Sequence, residues 1–300
     1  MTEESIIAAE PRLAATVILI REYEGEVQAY LLKRSAQSGF MPENYVFPGG
    51  TVDVEDSDSR KWEKHVDMDV EGVVRKLGGV LSDEDTYAHS IAAIRETFEE
   101  AGVFLAHKDE QFERGLEKIC ELRRNNVLHR GWLRERVVSE GWILAFSRLS
   151  RWAHWITPTI RTRRYDTRFF LAFMPQAQEC VSDSRETTHG IWVSPEEGLT
   201  GNLQGKLPLS PPTLVTLHEL LQYPDISSLE KEVKIRLWGQ ARLPRLIPST
   251  DGALILLPWD PGYDQQPQTD TKLLSKASIS VGEPFSRMCY HDRIWRPAKM

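Results

Sequence analysis

The nine residues at positions 95–103, R-E-T-F-E-E-A-G-V, constrain this chain most, because they place three carboxylates beside one arginine. The pattern around them is helical, and residues three or four apart lie on the same side of a helix. Glu96, Glu99 and Glu100 would therefore share one side, where like charges repel unless something positive lies between them. A divalent metal ion is the obvious candidate. A solvated acidic surface is the simpler alternative, but it explains neither the Phe-Pro-Gly-Gly turn at 47–50 nor Gly102, which is placed to end the helix.

This segment resembles the second half of the Nudix box, whose pattern is G-x5-E-x7-R-E-U-x-E-E-x-G-U with U apolar. Arg95, the glutamates and Gly102 match the pattern, whereas Thr97 stands at its first apolar position. At the usual spacing the first half does not match, because the positions expected to hold Glu and Gly hold Tyr87 and Leu81.

A matching first half lies further upstream, where Gly50 is followed after five residues by Asp56 in place of Glu. Residues 57–94 then replace the usual seven-residue spacer. We interpret the pattern as a Nudix box split by a long insertion at 57–88, and the two halves together favour this interpretation over a chance acidic run.

Composition restricts the class of protein. A chain of 300 residues with 41% apolar residues suits one large domain with additions. The net charge of -7 argues against a general nucleic-acid coat, and three scattered cysteines indicate a reducing compartment. No apolar run approaches the length of a membrane span, and the first five residues lack the basic start of a signal peptide.

The alternation of β-rich and helical patterns predicts an α/β/α sandwich around a mixed β-sheet, which is also the Nudix fold. Strands are predicted at 13–21, 27–34, 45–47, 155–159, 169–174, 191–193 and 253–258. Helices are predicted around 62–77, at 89–105, twice within 109–150, and after the Ser-Pro pairs at 194 and 210. Residues 262–283 read as a polar loop.

The resemblance extends from about Leu13 to about Pro258, and is specific to the Nudix 19-type coenzyme A diphosphatases of peroxisomes. It is carried by L-L-K-R-S at 31–35, by G-F-M-P at 39–42, by F-P-G-G at 47–50, by T-R-R-Y-D-T at 162–167 and by the insertion within the box. The predicted organisation is an N-terminal tail at 1–12, a Nudix domain at 13–260 with a helical insertion at 109–150, and a C-terminal tail at 261–300.

The last three residues, Ala298-Lys299-Met300, resemble the tripeptide that the peroxisomal import receptor reads. Because relatives of this type commonly end in such a signal, the resemblance implies a peroxisomal location. A cytoplasmic location is the alternative.

The expected chemistry is hydrolysis of a diphosphate, whose negative charge repels a nucleophile unless metal ions neutralise it. Mg²⁺ and Mn²⁺ prefer oxygen ligands, which Glu96, Glu99 and Glu100 supply together with the carbonyl of Gly49 or Gly50. In the family these glutamates bind metal or help to activate water.

The resemblance also assigns a role to Arg95, which is expected to hold a carboxylate in place by a bidentate pair. Asp56 is the partner that the motif implies, with Glu84 or Asp85 as alternatives.

Other charged residues extend the predicted site. Nudix enzymes often recruit a further carboxylate from a later loop, for which Glu186 is the first candidate and Asp166 the second. Guanidinium groups match phosphate oxygens, so the predicted substrate-binding residues are Arg34, Arg163 and Arg164, with the Arg-rich run at 161–164 suited to a 3′-phosphate. His154 and His189 are weaker candidates for a base, because most lone histidines are structural or exposed.

The resemblance implies hydrolysis of coenzyme A or acyl-coenzyme A to 3′,5′-ADP and a 4′-phosphopantetheine, with Mg²⁺ or Mn²⁺ as cofactor. Another Nudix substrate is the first alternative: a nucleotide sugar, a dinucleoside polyphosphate or capped RNA. A non-catalytic binding module of the same fold is the second alternative. Such modules usually lose motif carboxylates, and all three are present here.

Overall fold

The computed structural model describes residues 9–39, 41–107, 110–176, 178–183, 187–249, 252–265 and 279–299. Its strands are β1 (Arg12–Tyr23), β2 (Glu26–Arg34), β3 (Tyr45–Val46), β4 (Gly49–Thr51), β5 (Ser150–Ile156), β6 (Tyr165–Phe173), β7 (Thr187–Val193), β8 (Arg245–Ser249), β9 (Gly252–Leu256), β10 (Arg287–His291) and β11 (Ile294–Ala298). Its α-helices are α1 (Ser59–Trp62), α2 (Val70–Val73), α3 (Asp83–Ala101), α4 (Glu110–Arg124), α5 (Trp132–Glu140), α6 (Pro195–Leu203), α7 (Pro211–Leu220) and α8 (Ile226–Ile235).

Strands β1–β7 form a seven-stranded sheet whose main path is β3-β2-β1-β6-β5, with β4 beside β1 and β7 beside β2. The sheet is mixed, as predicted, because β1 runs parallel to β6 and antiparallel to β2 and β4. The register places Thr16 of β1 between Gly49 of β4 and Phe169 of β6. The β4 turn therefore lies at the centre of the sheet.

Each face of this sheet carries its own apolar core, since successive side chains of a strand point to opposite faces. Val17 and Leu19 pack with Ile94 and Phe98 of α3 on one face. On the other face, Ile18 and Ile20 belong to a cluster that includes residues of α7, α8 and the later strands. This arrangement confirms the α/β/α sandwich. None of the described helices is long and apolar enough to cross a membrane.

Part of the segment predicted as a C-terminal tail forms strands: β11 pairs with β10, β10 with β9 and β9 with β8 in a second, four-stranded antiparallel sheet. Met288 and Trp295 are buried there, and these five-residue strands are too short to give a clear apolar pattern in the sequence. Residues 266–278 of the predicted loop lie outside the described residues. The domain boundaries at 12 and 260 stay predictions.

The predicted import signal, residues 298–300, lies at the end of this second sheet. Ala298 is the last residue of β11 and is buried, Lys299 forms an ion pair with Glu283, and Met300 lies outside the described residues. The peroxisomal location stays a prediction.

Helix α3 begins six residues before its predicted start, because the side chain of Ser82 accepts a hydrogen bond from the backbone N–H of Asp85. It ends at Ala101, since Gly102 adopts the left-handed conformation with φ 74°. The predicted extension to residue 105 is therefore wrong.

The other element boundaries differ more modestly from the prediction. The single helix expected around 62–77 is replaced by the short helices α1 and α2, with 3₁₀ and π-helical turns at Glu63–His65 and Val74–Gly78. Strands β5 and β6 begin earlier than expected, and α8 and β8 were not predicted. The two helices predicted within 109–150 are confirmed as α4 and α5.

Candidate active site

The two halves of the split motif meet in space. The backbone N–H of Gly49 donates to Oε2 of Glu100 at 2.9 Å, across 51 residues of sequence. Gly50 lies so close to α3 that an added Cβ would be 2.5 Å from Cδ of Glu96. A side chain at position 50 would therefore displace the carboxylate of Glu96. Residues 57–82 lie between the two halves of the motif in sequence, and the two halves are nevertheless in contact.

Arg95 holds the two halves together from within. The side chain of this buried arginine donates from Nε and Nη2 to the carboxylate of Asp56, at 3.2 and 2.8 Å, and from Nη2 to the carbonyl of Thr51 at 2.8 Å. Its Nη1 also contacts Glu96 at 2.8 Å and Glu99 at 3.3 Å. Burial alone would lower the pKa of Arg95, but the surrounding carboxylates raise it, so the guanidinium stays charged.

Asp56 is thus the partner of Arg95, as the motif implies. The alternatives Glu84 and Asp85 lie in the first turn of α3, ten or more residues before Arg95. That separation corresponds to roughly 15 Å along the helix axis.

The helical insertion supplies two residues that contact the site and that the sequence analysis missed. Trp132 of α5 donates its indole N–H to Oε1 of Glu99 at 2.5 Å. Arg123 of α4 donates to the carbonyls of Glu99 and Glu100, both at 2.9 Å, and to that of Val181 at 2.6 Å. Its guanidinium therefore caps the last turn of α3. No local pattern announces these contacts, because each joins residues more than 20 positions apart.

Burial raises the pKa of Glu99, and Arg95 and the indole N–H of Trp132 act in the opposite direction. Because the indole donates to the carboxylate, it stabilises the ionised form. The charge state of Glu99 therefore depends on a residue of the insertion.

A cavity of about 1120 Å³ opens beside these carboxylates. Its lining includes the three glutamates of the motif, Glu96, Glu99 and Glu100, and seven arginines: Arg12, Arg34, Arg95, Arg123, Arg130, Arg161 and Arg163. Two predicted substrate-binding residues, Arg34 and Arg163, are thus in the cavity. Arg34 donates to the hydroxyl of Ser38 at 3.0 Å, and the guanidinium of Arg163 packs on Gly39 of the same loop.

Arg164 is placed elsewhere, contrary to the prediction. It is buried and donates to the carbonyls of Thr157 at 3.1 Å and Ala9 at 2.6 Å, so it ties the chain before β1 to the β5–β6 connection. Its neighbour Arg163 instead lines the cavity.

The candidate base residues are not brought to the cavity either. Asp166 accepts a hydrogen bond from His154 at 2.6 Å, and neither lines the cavity in the described part of the chain. His189 lies on β7 opposite Lys33 and is also outside the lining. Glu186 lies outside the described residues. Asp53, Asp183 and His129 do line the cavity, and sequence reasoning did not single them out.

The residues at this site fit a hard divalent cation by their donor chemistry, with three carboxylates beside the backbone of Gly50. Within the described residues, no group of three or more His, Cys, Asp and Glu side chains is already arranged to hold a metal ion. The reason is visible in the contacts: Glu96 faces Arg95, Glu99 faces Trp132, and Glu100 faces Gly49. The metal-ligand roles stay a prediction.

Comparisons with known proteins show which family this chain belongs to. Residues 6–220 match the family described as the NUDT19 Nudix domain. The chain is 30% identical over 284 residues to the acyl-coenzyme A diphosphatase NUDT19 of Xenopus laevis, covering 81% of this chain and 73% of the relative. It is also 30% identical over 304 residues to the protein of that name from Gallus gallus, covering 87% and 80%.

A solved structure supports the same fold. The crystal structure of a NUDIX hydrolase from Alicyclobacillus acidocaldarius superposes with a TM-score of 0.59 at 24% identity, covering 77% of this chain and 99% of that one. With the family match spanning most of the chain and the split motif assembled in space, this protein belongs to the NUDT19 Nudix domain family and is a Nudix pyrophosphohydrolase.

Proposed function

We propose that this protein hydrolyses the diphosphate of coenzyme A or acyl-coenzyme A, releasing 3′,5′-ADP and the corresponding 4′-phosphopantetheine. The observation that carries the proposal is the contact between Gly49 and Glu100, which assembles the motif beside an arginine-rich cavity. The names of the relatives support this substrate class, since both are acyl-coenzyme A diphosphatases.

The proposed cofactor is Mg²⁺ or Mn²⁺, held by Glu96, Glu99, Glu100 and the carbonyl of Gly50. When bound, such an ion neutralises phosphate charge and makes hydroxide available from water near neutral pH. Glu96 and Glu99 would be ligands of this ion, while Asp56, which accepts hydrogen bonds from Nε and Nη2 of Arg95, would keep the guanidinium in place.

The arginines of the cavity bind and orient the substrate. Arg34 and Arg163 approach the same loop, so their guanidinium groups converge on one part of the cavity. Arg12 and Arg161 line it as well. A substrate with a diphosphate and a separate 3′-phosphate needs several such groups, because each guanidinium binds one phosphate bidentately.

Incubation with Mg²⁺ and coenzyme A, followed by chromatography, tests the proposal. We expect 4′-phosphopantetheine from the wild type and at least a hundredfold less from Glu99→Gln/Glu100→Gln, because the variant loses two carboxylate ligands. Glu84→Gln is the matched control, since it makes the same change at an exposed position of the same helix.

Equal product from the wild type and the double variant would reject the proposal. A panel containing a nucleotide sugar, a dinucleoside polyphosphate and capped RNA should be run with both Mg²⁺ and Mn²⁺. Faster turnover of any of these compounds than of coenzyme A would transfer the proposal to that substrate.

A further inference from the structure

The cavity does not end at the carboxylates. It continues between the seven-stranded sheet and the second sheet, where its lining becomes apolar. We call this part the apolar arm, and it is lined by Trp155, Phe169, Leu246, Ala253, Ile255 and Trp295.

The distance from the carboxylates to the arm follows from the strand register. Thr51 pairs with Ala14, Ala14 with Thr167, and Thr167 with Trp155. Three spacings of about 4.8 Å separate these four backbones, so Trp155 lies on the order of 14 Å from the β4 turn. By the same count Phe169, which pairs with Thr16 opposite Gly49, lies about 10 Å from β4, so the apolar arm begins two strands away from the carboxylates.

The second sheet turns only one of its faces to the arm. Ala253 and Ile255 of β9 line it, whereas Leu254 and Leu256, which alternate with them, pack in a separate cluster with Ile247. The same alternation holds on β8, where Leu246 lines the arm and the adjacent Ile247 belongs to the separate cluster. The wall of the arm is thus a regular sheet face, which presents a continuous apolar surface.

The cavity is also large for a nucleotide alone. Its 1120 Å³ exceeds the range of about 300–1,000 Å³ that suits a drug-sized ligand. A ligand that fills it carries its anionic and apolar parts at opposite ends.

We propose that the apolar arm binds the acyl chain of acyl-coenzyme A, so that the second sheet determines the preference for acylated over free coenzyme A. The inference rests on the proposed function and assigns a part of the substrate to β8, β9 and β11. The diphosphate lies at the carboxylates, the pantetheine arm crosses β1 and β6, and the acyl chain lies against Ile255 and Trp295.

Ala253→Leu tests the proposal by filling the arm. The measured quantity is the ratio of kcat/KM for dodecanoyl-coenzyme A to kcat/KM for coenzyme A. We expect this ratio to fall about tenfold, because side-chain atoms added to an occupied apolar site exclude the ligand's own atoms.

Ile255→Ala and Leu254→Ala form a matched pair of adjacent, buried residues on opposite faces of β9. Truncating either side chain leaves space in an apolar region, but only Ile255→Ala enlarges the arm. Its preferred acyl chain should become longer, and that of Leu254→Ala should match the wild type.

A binding measurement separates failure of the inference from failure of the proposed function. Dodecanoyl-pantetheine has no phosphate, and calorimetry should show that the wild type binds it and that Ala253→Leu binds it at least tenfold more weakly. An unchanged ratio and unchanged binding in Ala253→Leu would overturn the inference. Binding without hydrolysis of either coenzyme A compound would instead reject the proposed function.

Discussion

At the scale of single residues, each glutamate of the site has its own hydrogen-bond donor. Glu100 accepts from the backbone of Gly49, Glu96 from Arg95, and Glu99 from the indole of Trp132. Three carboxylates can therefore lie close together without a metal ion, because each negative charge has a donor within 3 Å. A bound cation would compete with these donors.

Trp132→Phe tests the role of the indole. The variant removes the N–H that stabilises ionised Glu99, so the pKa of this carboxyl should rise further and protonation should compete with metal binding at higher pH. We expect kcat/KM for coenzyme A to fall about tenfold at neutral pH. The acid limb of the pH profile should also move to higher pH.

Trp152→Phe is the control for this change. Trp152 is buried in the other core, and its indole N–H has no hydrogen-bond partner within the described part of the chain. Its pH profile should keep the wild-type shape. A wild-type profile in Trp132→Phe would show that the indole does not influence Glu99.

The sequence allowed the glutamates to be identified, since helical spacing depends on neighbouring residues only. Gly50 and Asp56 could be identified because a known pattern resembles their surroundings. Trp132 and Arg123 could not be identified, because their contacts depend on how the helical insertion at 109–150 packs against α3. Arg164 was assigned to the site because guanidinium groups match phosphate oxygens, and the structure places it beside Thr157.

At the scale of elements, the longest periodic segments were predicted best. The strands β1 and β2 agree with the prediction in type and nearly in extent, and the helix α3 agrees in type. Short elements were predicted poorly, because a five-residue strand or a four-residue helix contains too few residues to show a period. The apolar residues of β10 and β11 can be recognised as core residues only once their partner strands are known.

Asp166 and His154 connect β6 to β5 by a hydrogen bond, and neither residue lines the cavity in the described part of the chain. The residue directly opposite His154 is Arg168, so Asp166 is its diagonal neighbour across the strand pair. Burial would raise the pKa of Asp166, but the hydrogen bond from His154 and nearby positive charge lower it overall. An acid whose pKa is lowered by folding stabilises the folded state when it is ionised.

Asp166→Asn should therefore lower the free energy of unfolding by about 1 kcal/mol at neutral pH, a small value because the side chain is partly exposed. The contribution should be complete above the ordinary carboxyl pKa of about 3.9 and should disappear as the pH falls through the lowered value. Urea unfolding at several pH values measures both. Glu22→Gln, at an exposed position of β1, should change the free energy of unfolding little. An equal loss in this control would show that the contact of Asp166 with His154 makes no specific contribution to stability.

At the scale of the whole molecule, two additions to the Nudix sandwich serve the site in different ways. The helical insertion provides Trp132 and Arg123, which fix Glu99 and the end of α3. The second sheet closes the far end of the cavity. The sequence predicted the first addition as helical, and of the second it predicted only β9, because β10 and β11 lie in the segment predicted as a tail.

The central claim is that the motif, although residues 57–88 are inserted within it, forms one divalent-metal site from Glu96, Glu99 and Glu100. Titration of the metal-free protein with Mn²⁺, followed by electron paramagnetic resonance, tests it most directly because it requires no substrate. We expect Mn²⁺ to bind the wild type and Glu84→Gln equally, and to bind Glu96→Gln and Glu100→Gln at least tenfold more weakly. Equal affinity in all four proteins would contradict the account.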